Sequence, residues 1–213
     1  MARMTMAEDE APKQDEAAAV TDAPRKRGRK PQDDAPEQPA NDPWAAKLER
    51  AESLAAAGSH ADAAEAFGSV AAAQPENLRA AVGMGSALFA AGKYDGAEKE
   101  LRRALKLAPD ASEVSYLLGH TLYKKGVYAA AATALRRAVE LDPEHGAAHF
   151  VLGEALNQMA ESDAAIEALE EAVRLVPENG KAYYAMGIAY DRKGNHDRAA
   201  EMYRLSREVG KTA

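Results

Sequence analysis

The stretch Ser112–His145, SEVSYLLGHTLYKKGVYAAAATALRRAVELDPEH, decides the fold of this 213-residue chain. Apolar and small residues recur at helical spacing before Gly126 and again after it, which predicts two short amphipathic helices around a tight turn. Gly126 supplies the backbone freedom that the turn needs, and Pro143 ends the second helix because proline cannot continue one. A helical hairpin of this size cannot bury its apolar faces alone, so it needs neighbours.

The same pattern returns every 34 residues along the chain. Gly119, Ala131 and Pro143 each have counterparts of the same type in other units. These counterparts are Gly85, Gly153 and Gly187 for the glycine, Ala63, Ala97, Ala165 and Ala199 for the alanine, and Pro75, Pro109 and Pro177 for the proline. A helix–turn–helix unit of this length, with small packing residues and a closing proline, resembles the tetratricopeptide repeat (TPR) family.

The resemblance implies an all-α fold, an α-solenoid of about five TPR units that forms a right-handed superhelix. The predicted units are 44–77, 78–111, 112–145, 146–179 and 180–213. Arg50 stands in the first unit where later units carry an apolar packing residue, and a charge there is typical of an end repeat that faces water. Residues 1–43 lack hydrophobic periodicity, and we expect a disordered N-terminal tail, with the start uncertain among Met1, Met4 and Met6.

Composition excludes several function classes. The chain has no cysteine, so disulfides and thiol chemistry are excluded, and its net charge of −7 argues against a protein that coats nucleic acid or an anionic membrane. No apolar run is long enough to span a bilayer and no secretory signal is evident, so we expect a cytoplasmic protein. His145 and His149 lie four residues apart but have no third ligand at suitable spacing. We therefore predict neither catalysis nor a metal or other cofactor.

One basic patch interrupts the otherwise mixed charges of the tail. It consists of Arg25, Lys26, Arg27, Gly28, Arg29 and Lys30, followed by proline. The segment RGRKP resembles the AT-hook, whose Arg-Gly-Arg core enters the narrow minor groove of A·T-rich DNA. The alternatives are a solvated basic cluster or a docking patch for an acidic partner.

In the TPR family, the first helices of the units line a concave surface, and positions 2, 5, 9, 12 and 13 of these helices point into it. The resemblance therefore implies a protein-binding groove with aromatic residues in its middle and polar residues around them. The predicted groove residues are Phe89, Tyr116, His120, Tyr123, Lys124, Phe150, Glu154, Asn157, Gln158, Tyr184, Ile188, Asp191 and Arg192. Aromatic anchors with a polar rim are typical of a protein-binding surface.

The predicted function is a non-catalytic scaffold or adaptor that binds a segment of a partner protein in this groove. The family's clamp for acidic C-terminal tails requires lysine at position 5, where this chain carries apolar residues such as Val82, Tyr116 and Phe150. We therefore expect an extended or helical segment with apolar side chains as the ligand.

Two alternatives stay open at this stage. In one, the basic patch anchors the protein to DNA and the repeats recruit other proteins. In the other, the chain is a scaffold that assembles with itself through the ends of the stack. The second rests on Met202, Tyr203, Leu205 and Val209, which could form an exposed apolar strip on the last helix.

Overall fold

The computed structural model describes residues 43–212, and these residues form ten α-helices and no strand. The helices are α1 (Pro43–Ala56), α2 (His60–Ala73), α3 (Leu78–Ala90), α4 (Tyr94–Leu107), α5 (Ser112–Lys124), α6 (Tyr128–Leu141), α7 (Gly146–Gln158), α8 (Ser162–Leu175), α9 (Gly180–Arg192) and α10 (His196–Thr212). Each 34-residue unit therefore contains one odd-numbered and one even-numbered helix. The fold is all-α and helical-solenoid, as the sequence predicts.

The helices stack in chain order, each against the helix before it and the helix after it. Each odd-numbered helix also contacts the next odd-numbered helix, whereas within residues 43–212 no such contact joins successive even-numbered helices. The odd-numbered helices are therefore closer together than the even-numbered ones. The stack curves with the odd-numbered helices on its inner side, which we call the concave groove.

The turn inside each unit requires a left-handed backbone. Gly58, Gly92, Gly126 and Gly194 adopt φ values of 79°, 73°, 78° and 72°. The fourth unit has Ala160 at this place, and its φ of 60° shows that the turn keeps the same conformation without glycine. A side chain is strained in this region, so the packing of the flanking helices α7 and α8 imposes the turn on Ala160.

The core of each inner unit is a leucine packed against a glycine. A methyl group placed on Gly119 would lie 2.5 Å from Cγ of Leu135, and one placed on Gly85 would lie 2.7 Å from Cγ of Leu101. Gly153 and Leu169 repeat this contact in the fourth unit. The three leucines are completely buried. Two helices of one unit therefore approach closely because the first presents no side chain at the contact.

Three sequence predictions concern residues outside the described part of the chain. They are the disordered tail, the AT-hook-like patch at 25–30 and the uncertain start at the first methionines. The structure adds nothing to these predictions.

Candidate functional site: the concave groove

Aromatic rings form a continuous row across the middle of the concave groove. Phe89 of α3 lies 4.7 Å from the His120 ring of α5, measured between ring centroids, and His120 lies 5.7 Å from Tyr116. The row continues to Tyr123, whose ring centroid is 6.5 Å from that of His120. All four rings are half-buried, so each packs against its neighbours and keeps part of its surface open. The groove thus presents connected ring surfaces rather than separate side chains.

His120 stands at the centre of this row. Its Nδ1 lies 3.4 Å from the hydroxyl of Tyr116, within hydrogen-bonding distance. Burial, together with a smaller effect of the nearby ammonium of Lys124, lowers the pKa of His120 from its ordinary value of 6.5 to about 4. The imidazole is therefore neutral at pH 7 and acts as an aromatic surface rather than as a cation.

A half-buried carboxylate adjoins the aromatic row. Tyr123 donates a hydrogen bond to Glu154 of α7, and the ammonium groups of Lys124 and Lys181 are close enough to attract the Glu154 carboxylate. Burial raises the pKa of Glu154 more than these three groups lower it. Lys124 also lies above the Tyr123 ring, with its Nζ 5.8 Å from the ring centroid. This part of the groove therefore combines aromatic surface with paired charges.

The structure adds His145 and Glu113 to the groove, which the sequence analysis did not include. The His145 ring lies 4.5 Å from the Tyr116 ring, and its Nε2 is 3.2 Å from Oε2 of Glu113. Nδ1 of His145 accepts a hydrogen bond from the backbone N–H of Ala148, so it caps α7. A histidine just before a helix start signals such a cap, but its contact with Tyr116 depends on how the units stack.

Three predicted groove residues serve other contacts instead. Asn157 is only 5% exposed, and its side-chain amide donates to the carbonyl of Ala185 at 2.9 Å. The guanidinium of Arg192 donates to the backbone carbonyl of Asn157. Asp191 accepts hydrogen bonds from His196 and Tyr203 within the last unit. Asn157 therefore joins α7 to α9 and is not available in the groove, which corrects the prediction for this residue.

The other predicted residues lie on the groove helices with different exposure. Phe150 is half-buried and packs against the core on both sides of α7. Tyr184 is 56% exposed, and its ring centroid lies 5.5 Å from that of Tyr203. Ile188 is half-buried, whereas Gln158 and Lys124 are exposed. The assignment of these residues to partner binding stays a prediction.

The N-terminal half of the groove holds a mostly apolar cavity of about 660 Å³. Ala55, Val82, Ala90 and Leu117 are among the residues that line it. Ala55 of α1 and Ser86 of α3 line this cavity at the places where the third unit has Tyr123 and His120. These two small residues leave space that rings fill in the third unit. The sequence prediction centred the groove on the aromatic residues and did not include this cavity, although Ala55 and Ser86 at these positions are a signal for it.

An ion pair borders the cavity. Arg79 donates two hydrogen bonds of 2.6 Å to the carboxylate of Glu52, one from Nε and one from a terminal nitrogen. These hydrogen bonds lower the pKa of Glu52 and raise the pKa of Arg79. Both side chains are exposed, so the pair contributes little to stability, and its paired charges border the apolar space.

The apolar strip expected on the last helix is largely closed. Met202 is only 8% exposed, and Tyr203, Leu205 and Val209 are half-buried. The expectation of an open strip is therefore wrong for Met202, because α10 folds it against α9. Residues 43–212 contain no cluster of histidine, aspartate and glutamate that could hold a metal ion. No helix in that range is long and apolar enough to cross a membrane.

Comparisons with known proteins agree with this architecture. Family models described as tetratricopeptide repeat match residues 54–120, 116–159 and 158–208. The solved structure of MamA 41-end from Desulfovibrio magneticus RS-1 is similar with a TM-score of 0.75 and 27% identity, and covers 81% of this chain and 97% of that chain. A second MamA crystal structure has a TM-score of 0.72 and 27% identity, with coverage of 79% and 92%.

A more distant structure shares the fold. YrrB, described as a TPR protein with an unusual peptide-binding site, has a TM-score of 0.68 and 23% identity, and covers 76% of this chain and 84% of that chain. A comparison with curated protein sequences found no match.

Proposed function

The chain belongs to the tetratricopeptide repeat family, and we propose that it is a non-catalytic scaffold that binds a segment of a partner protein in its concave groove. The observation that carries the proposal is the aromatic row of Phe89, His120, Tyr116 and Tyr123, which adjoins open groove surface. Partly exposed, well-packed aromatic rings are the side chains that contribute most binding energy at protein interfaces. Because neighbouring rings fix them, they lose little conformational freedom when a partner binds.

The chemistry of the groove favours a ligand with apolar side chains. The cavity of about 660 Å³ in the N-terminal half can accept a large apolar side chain, and the aromatic row can contact the residues that follow it. The cations near the row, Lys124 and Lys181, already attract the carboxylate of Glu154. An acidic C-terminal tail would therefore find no free clamp at this place, whereas an extended or helical apolar segment would bury surface along both parts.

Binding to defined peptides tests this proposal. Peptides are selected from a random dodecapeptide library against the full chain, and their affinities are then measured by fluorescence polarisation. Ser86→Trp places an indole in the cavity, and Tyr116→Ala with Phe150→Ala removes two groove rings. We expect each groove variant to weaken the selected peptides at least tenfold, because it blocks or removes the contact surface.

The matched control is Glu167→Trp, which places the same indole on the exposed surface of the even-numbered helix α8. It should leave the affinities unchanged. Equal binding by wild type, Ser86→Trp and the double variant, with all of them folded by circular dichroism, would overturn the proposal.

A further inference from the structure

The third unit carries a second apolar surface, on a face of α5 that does not contribute to the aromatic row. A slot of about 460 Å³ lies between α4 and α6 and crosses α5. Its apolar lining includes Leu105 of α4, Leu118 and Leu122 of α5, and Ala134 of α6. We call this space the back slot. On a helix, Leu118 and Leu122 share one face, while Tyr116 and His120 of the groove share another.

The back slot exists because one side chain is small. Ser115 occupies the place that His149 has in the fourth unit and Tyr183 has in the fifth. The His149 ring is half-buried, and its Nε2 donates to the carbonyl of Pro143 at 3.1 Å. The hydroxyl of Ser115 instead turns back to the carbonyl of Ala111 at 3.1 Å. The space that a ring takes up in later units is therefore open beside Pro109, the counterpart of Pro143.

Positively charged side chains line the back slot. Arg102 and Arg137 are the two charged residues that line it, while the chain as a whole carries a net charge of −7. Arg102 pairs with Glu98 at 2.5 Å, and Arg137 pairs with Asp110 at 2.6 Å and with Glu140 at 3.5 Å. None of these carboxylates lines the slot. The two arginine side chains are 58% and 49% exposed. Exposed pairs of this kind are weak, so a carboxylate from another molecule can exchange with them.

No other junction between units, among those that residues 43–212 form, combines these features. At the next junction the counterparts of Arg102 and Arg137 are Arg136 and Glu171, and the slot residue is His149. The charges there are of opposite sign and a ring is already in place. The third unit alone pairs a small residue at this position with two arginines.

We propose that the back slot binds an aromatic side chain from an acidic segment of a partner protein. The ring takes the place that His149 and Tyr183 occupy in the later units and packs on Leu105, Leu118 and Leu122. A Trp or Tyr ring donates its N–H or O–H to the Pro109 carbonyl, as His149 does to Pro143. Carboxylates on either side of the ring pair with Arg102 and Arg137. This contact is separate from the concave groove, so one chain can hold two partner segments.

Two short peptides serve as probes for the back slot: acetyl-Gly-Glu-Trp-Glu-Gly-amide and its counterpart acetyl-Gly-Lys-Trp-Lys-Gly-amide. Amide chemical shifts of the full chain are followed by NMR during each titration. We expect the acidic peptide to shift the amides of Ser115, Leu118 and Ala134 with a dissociation constant at least fivefold lower than that of the basic peptide, because only the acidic one matches the arginines.

Variants separate the parts of the proposal. Ser115→Tyr fills the slot from within and should abolish the shifts, whereas Ser115→Ala keeps the slot open and should retain them. Arg102→Ala with Arg137→Ala should reduce the affinity for the acidic peptide to that for the basic one. Peptides selected for the concave groove should bind Ser115→Tyr as they bind wild type, so this test is independent of the groove.

Three results would overturn the inference. They are shifts that map to the concave groove, equal affinity for the acidic and basic peptides, and unchanged binding by Ser115→Tyr. If Ser115→Tyr does not fold, the double arginine variant decides, because its two changes lie on exposed side chains.

Discussion

The third and fifth units share one architecture but bury their central contact differently. In the third unit, Gly119 receives Leu135, which is completely buried between helices of the same and adjoining units. In the fifth unit, Gly187 receives the ring of Tyr203, which is half-buried. The Tyr203 hydroxyl donates to Oδ2 of Asp191 at 2.9 Å. Burial and this hydrogen bond raise the pKa of Tyr203 to about 12.

The difference shows that one packing position can hold either an aliphatic or an amphipathic side chain. Tyr203 is only half-buried, so an apolar side chain at this position would leave surface in water. A tyrosine buries its ring against Gly187 and places its polar end at the surface, where Asp191 and solvent satisfy it. In the first unit, Arg50 is exposed on α1, whereas its counterpart Leu118 in the third unit is buried. The inner units therefore depend on tight packing and the end units on amphipathic side chains.

The largest expected effect is the loss of stability on replacing Gly119, compared with the loss on replacing Gly187. Gly119→Ala forces a methyl group to within 2.5 Å of Leu135, whose surroundings are closed, and should destabilise the chain by about 1–3 kcal/mol. Gly187→Ala meets the Tyr203 ring, which can move toward solvent but then weakens its hydrogen bond to Asp191, so the loss should be smaller, about 0.5–1 kcal/mol. Urea unfolding of both variants measures the difference. Equal losses of stability would show that the end unit is packed as tightly as the inner one.

A second prediction uses pH to compare the ninth position of the two groove helices, which is His120 in α5 and Ile188 in α9. The pKa of His120 falls from 6.5 to about 4 on folding, so the unfolded chain binds a proton that the folded chain excludes. Stability is therefore complete above pH 6.5 and decreases as the pH falls toward 4. The loss at pH 5 should be about 1 kcal/mol after screening at a partly exposed site.

Replacement of His120 by the residue of the fifth unit, His120→Ile, removes this titration. Thermal unfolding between pH 7.5 and 4.5 should show that wild type loses more stability than the variant below pH 6.5. Wild type and variant must be compared with each other because Glu154 titrates in both. Its raised pKa makes the folded state more stable as the pH falls, which is opposite to the effect of His120. Parallel pH profiles for wild type and His120→Ile would contradict the prediction.

The smallest expected effect concerns the end unit alone. Tyr203→Phe keeps the ring against Gly187 but loses the hydrogen bond to Asp191, which should cost about 0.5–1 kcal/mol at an exposed site. Tyr184→Phe is the control, since this 56% exposed tyrosine contacts Tyr203 through its ring. Urea midpoints at pH 7 measure both changes. A loss for Tyr184→Phe as large as that for Tyr203→Phe would remove the role assigned to the Tyr203 hydroxyl.

The repeat and its helices could be read from the sequence because they depend on local chemistry. The spacing of Gly119, Ala131 and Pro143 predicts helix positions, close contacts and turns without any knowledge of the neighbours. The groove was predictable only as a face. Asn157 belongs to that face by spacing, yet it is buried because its amide reaches the Ala185 carbonyl of the next unit. These two residues are 28 positions apart, and their contact depends on how α7 stacks against α9. The spacing of residues within one helix cannot predict such stacking.

The sequence by itself determined the number and order of the units, the glycine turns and the residues that pack inside each unit. These features follow from helix periodicity and from the freedom of glycine, which act over a few residues. The tertiary structure alone decided which groove rings meet, that His145 joins Tyr116, that small residues open a cavity beside α3, and that Ser115 leaves a slot behind α5. Each of these depends on side chains from two or three units, and only their stacking brings such residues together.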